Sequence, residues 1–189
     1  MTQTQKDRDA LREWAVFYES GLRRQNSDVN LTQAQIAKDR TRLEADPIEW
    51  IRFFFPEYCK FEFAEFQIKA IRRCIKHEEW FEVLSWARGL AKSTTVMFIV
   101  IYLALTKKKC NVMMASATQD SAVRLLDPYK KQLEENALIR AYYGVQVNLG
   151  NWCAEEFVAK CGCSFRAVGA GNAPRGSRNG AVRPDVLLV

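Results

Sequence analysis

The stretch Trp80-Phe81-Glu82-Val83-Leu84-Ser85-Trp86 runs without a break into Ala87-Arg88-Gly89-Leu90-Ala91-Lys92-Ser93-Thr94, and from there into the apolar run Val96–Leu105. The first seven residues are mostly apolar and β-favouring, which predicts a short buried parallel strand. Ser93 to Thr106 predicts a helix, Cys110 to Ala117 a second apolar strand, and Gln119 to about Asn136 another helix. Strand, helix, strand, helix with short joints is the pattern of an α/β fold with a parallel sheet flanked by helices.

Downstream, Trp152 to Ala159 and Cys163 to Val168 read as two strands joined across Gly162, whereas 137–151 shows no clear pattern. Gly169 to Pro184 holds four glycines, two prolines and three arginines with almost nothing apolar, the composition of a loop. Asp185-Val186-Leu187-Leu188-Val189 then begins another buried strand.

Upstream, Ala64 to Lys76 predicts a helix. Ala10, Leu11, Trp14, Val16, Phe17 and Leu22 recur at helical spacing and predict an amphipathic helix over Asp7–Gln25. Thr32 suits the N-cap of a second helix to about Leu43, and Asp46-Pro47 opens a third that ends at Pro56. Leu31 to Ala37 faintly resembles the first helix of a helix-turn-helix, but no recognition helix follows, so a packing element is expected. The division expected is a helical region over 1–56 and an α/β domain over 57–189.

With 189 residues, 48% hydrophobic, 26% charged and 12% aromatic, the chain has the composition of a globular protein rather than a disordered one. Val96–Leu105 is ten residues and runs up to Lys107-Lys108-Lys109, short of the roughly 20 that a bilayer span needs. The N-terminus has no signal-peptide core. A soluble, intracellular protein without disulfides is therefore expected. Most of the net charge of +6 lies in 60–110, where ten Lys and Arg stand against five Asp and Glu. That balance suits a phosphate-bearing ligand or nucleic acid without requiring either.

The chemistry concentrates at Trp86–Thr94. A loop between a strand and a helix start is where backbone N–H groups can point at phosphates. There Lys92 would reach β/γ oxygens and the Ser93 hydroxyl would ligate magnesium. Against G-x-x-x-x-G-K-[ST] both glycines are missing, with Trp86 at the first position and Ala91 before the lysine. The competing reading is a plain helix start capped by Ser or Thr, which leaves a lysine opposing the helix dipole. Cys153, Cys161 and Cys163 lack a fourth zinc ligand nearby in sequence, and His77 follows a helix end. Trp80, Phe81 and Trp86 are expected in the core, and the three lysines 107–109 on a solvated helix end.

Ala87-Arg88-Gly89-Leu90-Ala91-Lys92-Ser93-Thr94 resembles the deviant Walker A loop of the large terminase subunit, the ATPase that packages DNA into tailed-bacteriophage heads. Phe63-Ala64-Glu65-Phe66-Gln67 is similar to that family's adenine-recognition segment, and Val112 to Ala122 to its second strand and the helix start that follows. Arg175-Gly176-Ser177-Arg178 and Arg183 to Val189 resemble the approach to the Walker B strand. The likeness covers residues 61–189.

The resemblance implies a P-loop ATPase fold, with ATP and magnesium as cofactors. It implies phosphate contacts from Gly89, Ala91, Lys92, Ser93 and Thr94, with Ser93 on the metal. Phe66 and Gln67 would contact the adenine. Arg88 would act at the γ-phosphate, and Arg178, with Arg175 as competitor, would reach a neighbouring subunit in a homo-oligomeric ring. Lys92, Arg88 and Arg178 are thus its catalytic candidates. The implied partners are double-stranded DNA, the portal ring and the small terminase subunit, in the cytoplasm of a bacterial host.

Two rivals stand beside it. A helicase-type translocase would keep the glycine that Ala91 replaces, and a non-catalytic module would use the scaffold only for binding. The family's Walker B acidic pair would follow Val189, and neither it, the coupling motif nor the nuclease domain is present. An N-terminal fragment is therefore expected, with weak or absent nucleotide binding and negligible hydrolysis. A phosphate-release assay on the 189-residue chain should read background; turnover that Lys92→Ala abolishes would overturn this.

Overall fold

The computed structural model describes residues 32–171 and 182–189. The helix expected over Asp7–Gln25, and Arg175 and Arg178 of the glycine-rich loop, lie outside the described residues.

Two N-terminal helices follow from their caps. In α1, Gln33–Ala45, the Thr32 hydroxyl accepts from the Gln35 N–H at 3.3 Å while Gln35 Oε1 accepts from the Thr32 N–H at 2.8 Å. This reciprocal box satisfies two donors that the first helical turn leaves unpaired. In α2, Pro47–Phe54, the Asp46 carboxylate accepts from the Ile48 N–H at 2.9 Å and Pro47 supplies a preset φ. Ile48, Trp50, Ile51 and Phe54 are its buried face.

Trp50, 0% exposed, ties four helices together. Its indole N–H donates to the Tyr143 hydroxyl at 2.8 Å, which donates in turn to the Glu44 carboxylate at 2.8 Å. Its ring meets Tyr102 edge-on at 5.1 Å, and the Tyr102 hydroxyl donates to the Glu44 carbonyl at 2.7 Å. Both polar tips of these large rings therefore find partners, as buried aromatics require. Burial pushes both tyrosine hydroxyls above their ordinary pKa.

After α3, Glu65–Lys76, the chain reaches α4, Lys92–Leu105, in which every residue from Met97 to Leu105 is buried. A helix apolar on all sides has to lie inside; α2, α3 and α5 pack against it. Then come β1, Asn111–Ser116; α5, Gln119–Glu135, capped by Thr118; α6, Ala137–Tyr143; β2, Glu156–Val158; β3, Ser164–Gly169; and β4, Val186–Leu188. The region 137–151 thus contains a helix that its sequence pattern does not announce. Asn136 caps it, accepting from the Ile139 N–H at 3.0 Å and donating to the Phe54 carbonyl at 2.8 Å.

The described residues form an α/β fold, with a four-stranded mixed sheet of order β2-β3-β1-β4 flanked by helices. β1 runs parallel to β3, Asn111 opposite Ser164, and to β4, Val112 opposite Val186. β2 returns antiparallel to β3 across a turn with Gly162 at φ +97°, so the sheet is not wholly parallel. Asp185 sets the β4 register: its carboxylate accepts from the Cys110 and Asn111 N–H groups, both at 2.8 Å.

Two expectations fail here. Trp80–Trp86 is not a buried strand and pairs with nothing in the sheet. Phe81 is 87% and Val83 68% exposed, while Glu82, Leu84 and Trp86 are half-buried. The segment lies along α3, where Arg73 Nε donates to Glu82 at 3.1 Å and the Trp80 indole donates to the same carboxylate at 2.6 Å. The Arg73 hydrogen bond is the main reason Glu82 ionises below its ordinary range. Trp80 and Phe81 are accordingly surface residues, Trp80 stacking on His77 at 4.7 Å. β propensity measures fit to a pleated, half-buried surface, and an arginine, a tryptophan and a helix face supply a different one here. β4 forms as expected, but Leu187 is 62% exposed on it, so this strand is not fully buried.

Gly169 ends β3 against the start of α5, where its N–H donates to Gln119 Oε1 at 2.9 Å. A Cβ there would stand 2.6 Å from the Gln119 backbone nitrogen. Gly169→Ala should therefore destabilise the fold by about 1–3 kcal/mol, the usual cost of overpacking, read as a lowered urea midpoint with an unchanged m-value.

Candidate phosphate-binding site

The site is the junction between the Trp80–Trp86 segment and α4. Arg88 and Gly89 form a turn, Gly89 at φ +87°, and Ala91 follows at φ +54°, ψ +33°. A Cβ at Gly89 would meet nothing within 4 Å, so only its backbone conformation favours glycine there. Ala91 has no such freedom, and a left-handed alanine costs about 1–2 kcal/mol. Non-glycine residues persist in that region only where their surroundings hold them.

A left-handed residue followed by a right-handed helical one turns successive N–H groups toward one side, a concavity that suits anions. Here those groups belong to Ala91, Lys92 and Ser93. No side chain caps α4, and its first turn carries no acidic residue, so the positive end of a 14-residue helix is uncompensated. Thr95 closes the inner side: its N–H and its hydroxyl both donate to the Ala91 carbonyl at 2.9 Å. Arg88, Gly89, Lys92 and Ser93 are exposed and Thr94 is half-buried.

The start of α3 joins the same place. The Phe66 ring meets Trp86 edge-on at 4.9 Å, and Gln67 Nε2 donates to the Leu90 carbonyl at 3.2 Å. Gln67 Oε1 meanwhile accepts from the Ala64 N–H at 2.9 Å. The structure thus brings Phe66, Gln67, Gly89, Ala91, Lys92, Ser93 and Thr94 together, with Arg88 in the turn. Arg178 lies outside the described residues.

Trp86 is the contributor that pattern reading misses, because the motif asks for glycine there; an aromatic with Phe66 upstream is the only signal. The Arg73–Glu82 pair holding the segment leaves no such trace. Lys108 lies over the Tyr102 ring at 5.1 Å, and Lys109 Nζ donates to the Glu78 carbonyl at 2.7 Å, so two of the three clustered lysines serve the fold.

Among the described residues no group of three or more His, Cys, Asp or Glu side chains is placed to hold a metal ion. Ser93 offers one exposed hydroxyl, and a magnesium ion there would draw its other oxygens from phosphate and water. Among the same residues no helix is long and apolar enough to cross a membrane. In comparisons with family models, curated proteins and solved structures, nothing matches the chain.

With Ala91 held at φ +54°, Ala91→Gly should stabilise the protein by roughly 0.5–1 kcal/mol after the unfolded-state entropy of glycine is deducted. Thermal unfolding of the two proteins measures this; a lower Tm in the glycine variant would show that the alanine is not strained.

Proposed function

We propose that the chain is the ATP-binding part of a DNA-packaging motor of the large-terminase kind, a P-loop unit that couples ATP hydrolysis to double-stranded DNA translocation. The observation that carries the reading is the start of α4: a left-handed Ala91, an uncapped helix terminus and Lys92-Ser93 in its exposed first turn. ATP supplies the phosphoanhydride bond whose cleavage drives such a motor. In this reading the N–H groups of Ala91 to Ser93 bind phosphate oxygens, and the Lys92 ammonium neutralises charge on them. The Ser93 hydroxyl holds magnesium, and Arg88 stabilises charge that develops at the γ-phosphate. Phe66 supports the loop's aromatic wall through Trp86. The excess of Lys and Arg over 60–110 supports a polyanionic partner.

The reading requires a triphosphate to meet the loop even at low affinity. On adding millimolar Mg-ATP to 15N-labelled protein, the amide resonances of Gly89 to Thr94 should shift, and Lys92→Ala should weaken the effect by tenfold or more. Loop resonances that stay in place, or shift equally in the Lys92→Ala protein, would overturn it.

A further inference from the structure

The side-chain amide of Gln67 joins two backbone groups: Oε1 accepts from the Ala64 N–H at 2.9 Å and Nε2 donates to the Leu90 carbonyl at 3.2 Å. The partners fix which end is which, because an N–H needs the oxygen and a carbonyl needs the nitrogen. A bidentate grip on a base edge would present that oxygen and nitrogen together toward one ligand. In this structure they are aimed at two separate places in the chain.

The bond to Leu90 has a geometric consequence. The described peptide bonds are all trans, so the Leu90 carbonyl and the Ala91 N–H point in opposite directions across one rigid plane. Drawing the carbonyl toward α3 therefore turns the Ala91 N–H away from α3. A flip of this peptide would change ψ of Leu90 and φ of Ala91 together, and would let Ala91 leave φ +54° for the negative φ that alanine prefers. The contact of Phe66 with Trp86 holds the other side of the same turn to α3.

We infer that Gln67 is a positioning residue for the loop, not the reader of the nucleotide base: it locks the Leu90–Ala91 peptide in the orientation that holds Ala91 left-handed. This rests on the reading of the loop as a triphosphate site. Its consequence is that selectivity for the base does not come from Gln67, and that Gln67 matters equally to any ligand bound through its phosphates.

Gln67→Glu separates the roles, because a glutamate still accepts from the Ala64 N–H but has no donor for the Leu90 carbonyl. In the nucleotide-free protein, amide hydrogen exchange at the joint of loop and α4, read at Thr95 whose N–H donates to the Ala91 carbonyl, should speed up about three- to tenfold, the loss of one ordinary hydrogen bond, while exchange in the rest of α3 is unchanged. Adding Ala91→Gly should remove most of that difference, since glycine does not need to be held at positive φ. ATP, GTP and inorganic triphosphate should each bind about three- to tenfold more weakly to the Gln67→Glu protein. Unchanged exchange at Thr95 in that variant would overturn the proposal, and so would weakened ATP binding with GTP and triphosphate unaffected, which would make Gln67 the base reader. If the wild-type chain binds none of the three ligands, the triphosphate reading falls, while the exchange and rescue measurements still decide what Gln67 does to the loop.

Discussion

The burial of α4 governs the arrangement. A helix whose residues Met97 to Leu105 are all inside has no face to give to water, so neighbours must cover it from several directions. α2, α3 and α5 do so, and Trp50 with Tyr102 seals the side toward α1 and α6 through the Glu44 contacts. Such a helix can reach solvent only at its ends. The N-terminal end does, at Lys92 and Ser93, and this is what sets a row of unpaired N–H groups on the surface rather than in the core.

That end differs from four other helix starts among the described residues, although α3 too begins after an alanine, Ala64, with no side-chain cap. Thr32, Asp46, Thr118 and Asn136 each cap their helix with a side-chain oxygen. At α4 the cap position is a left-handed alanine without a polar side chain, and a lysine stands where the dipole disfavours it. One rule broken would be noise in a marginally stable protein, but several broken within three residues amount to a cost of a few kcal/mol, a sizeable part of what holds a small domain folded. The contacts that bear it are at hand: Thr95 donates twice to the Ala91 carbonyl, and Gln67 holds the preceding carbonyl. Places where local preference and structure disagree are where function or strain is expected.

How much of this was readable depends on whether the signal is local. The helices with their own caps, Thr32 with Gln35 and Asp46 with Pro47, are written within four residues of chain and come out close to the expected bounds. β1 and α5 are legible for the same reason, being an apolar run and a periodic one. The helix Ala137–Tyr143 is short and gains its place from Tyr142 and Tyr143 packing against Phe53 and Phe54, which lie far away in sequence. The residues from Gly89 to Thr94 are singled out in the sequence by the family resemblance rather than by spacing, since both motif glycines are missing, and the left-handed turn at Ala91 is not legible at all, since alanine is a poor advertisement for it.

Trp80–Trp86 shows the same limit from the other direction. Its alternation of exposed and half-buried residues is strand-like, with Phe81 and Val83 outward and Glu82, Leu84 and Trp86 inward. What makes an alternating segment a strand is pairing of its N–H and C=O groups with a neighbour, and this segment pairs with no strand of the described sheet, where β4 is an edge. The segment instead rests on side-chain contacts with α3, an ion pair at Glu82 and a ring contact at Trp86. These hold one face and leave the loop that follows dependent on α3 for its position. The same helix that anchors the segment thus also carries Gln67, so the geometry of the α4 terminus is set by side chains of α3 rather than by a sheet edge.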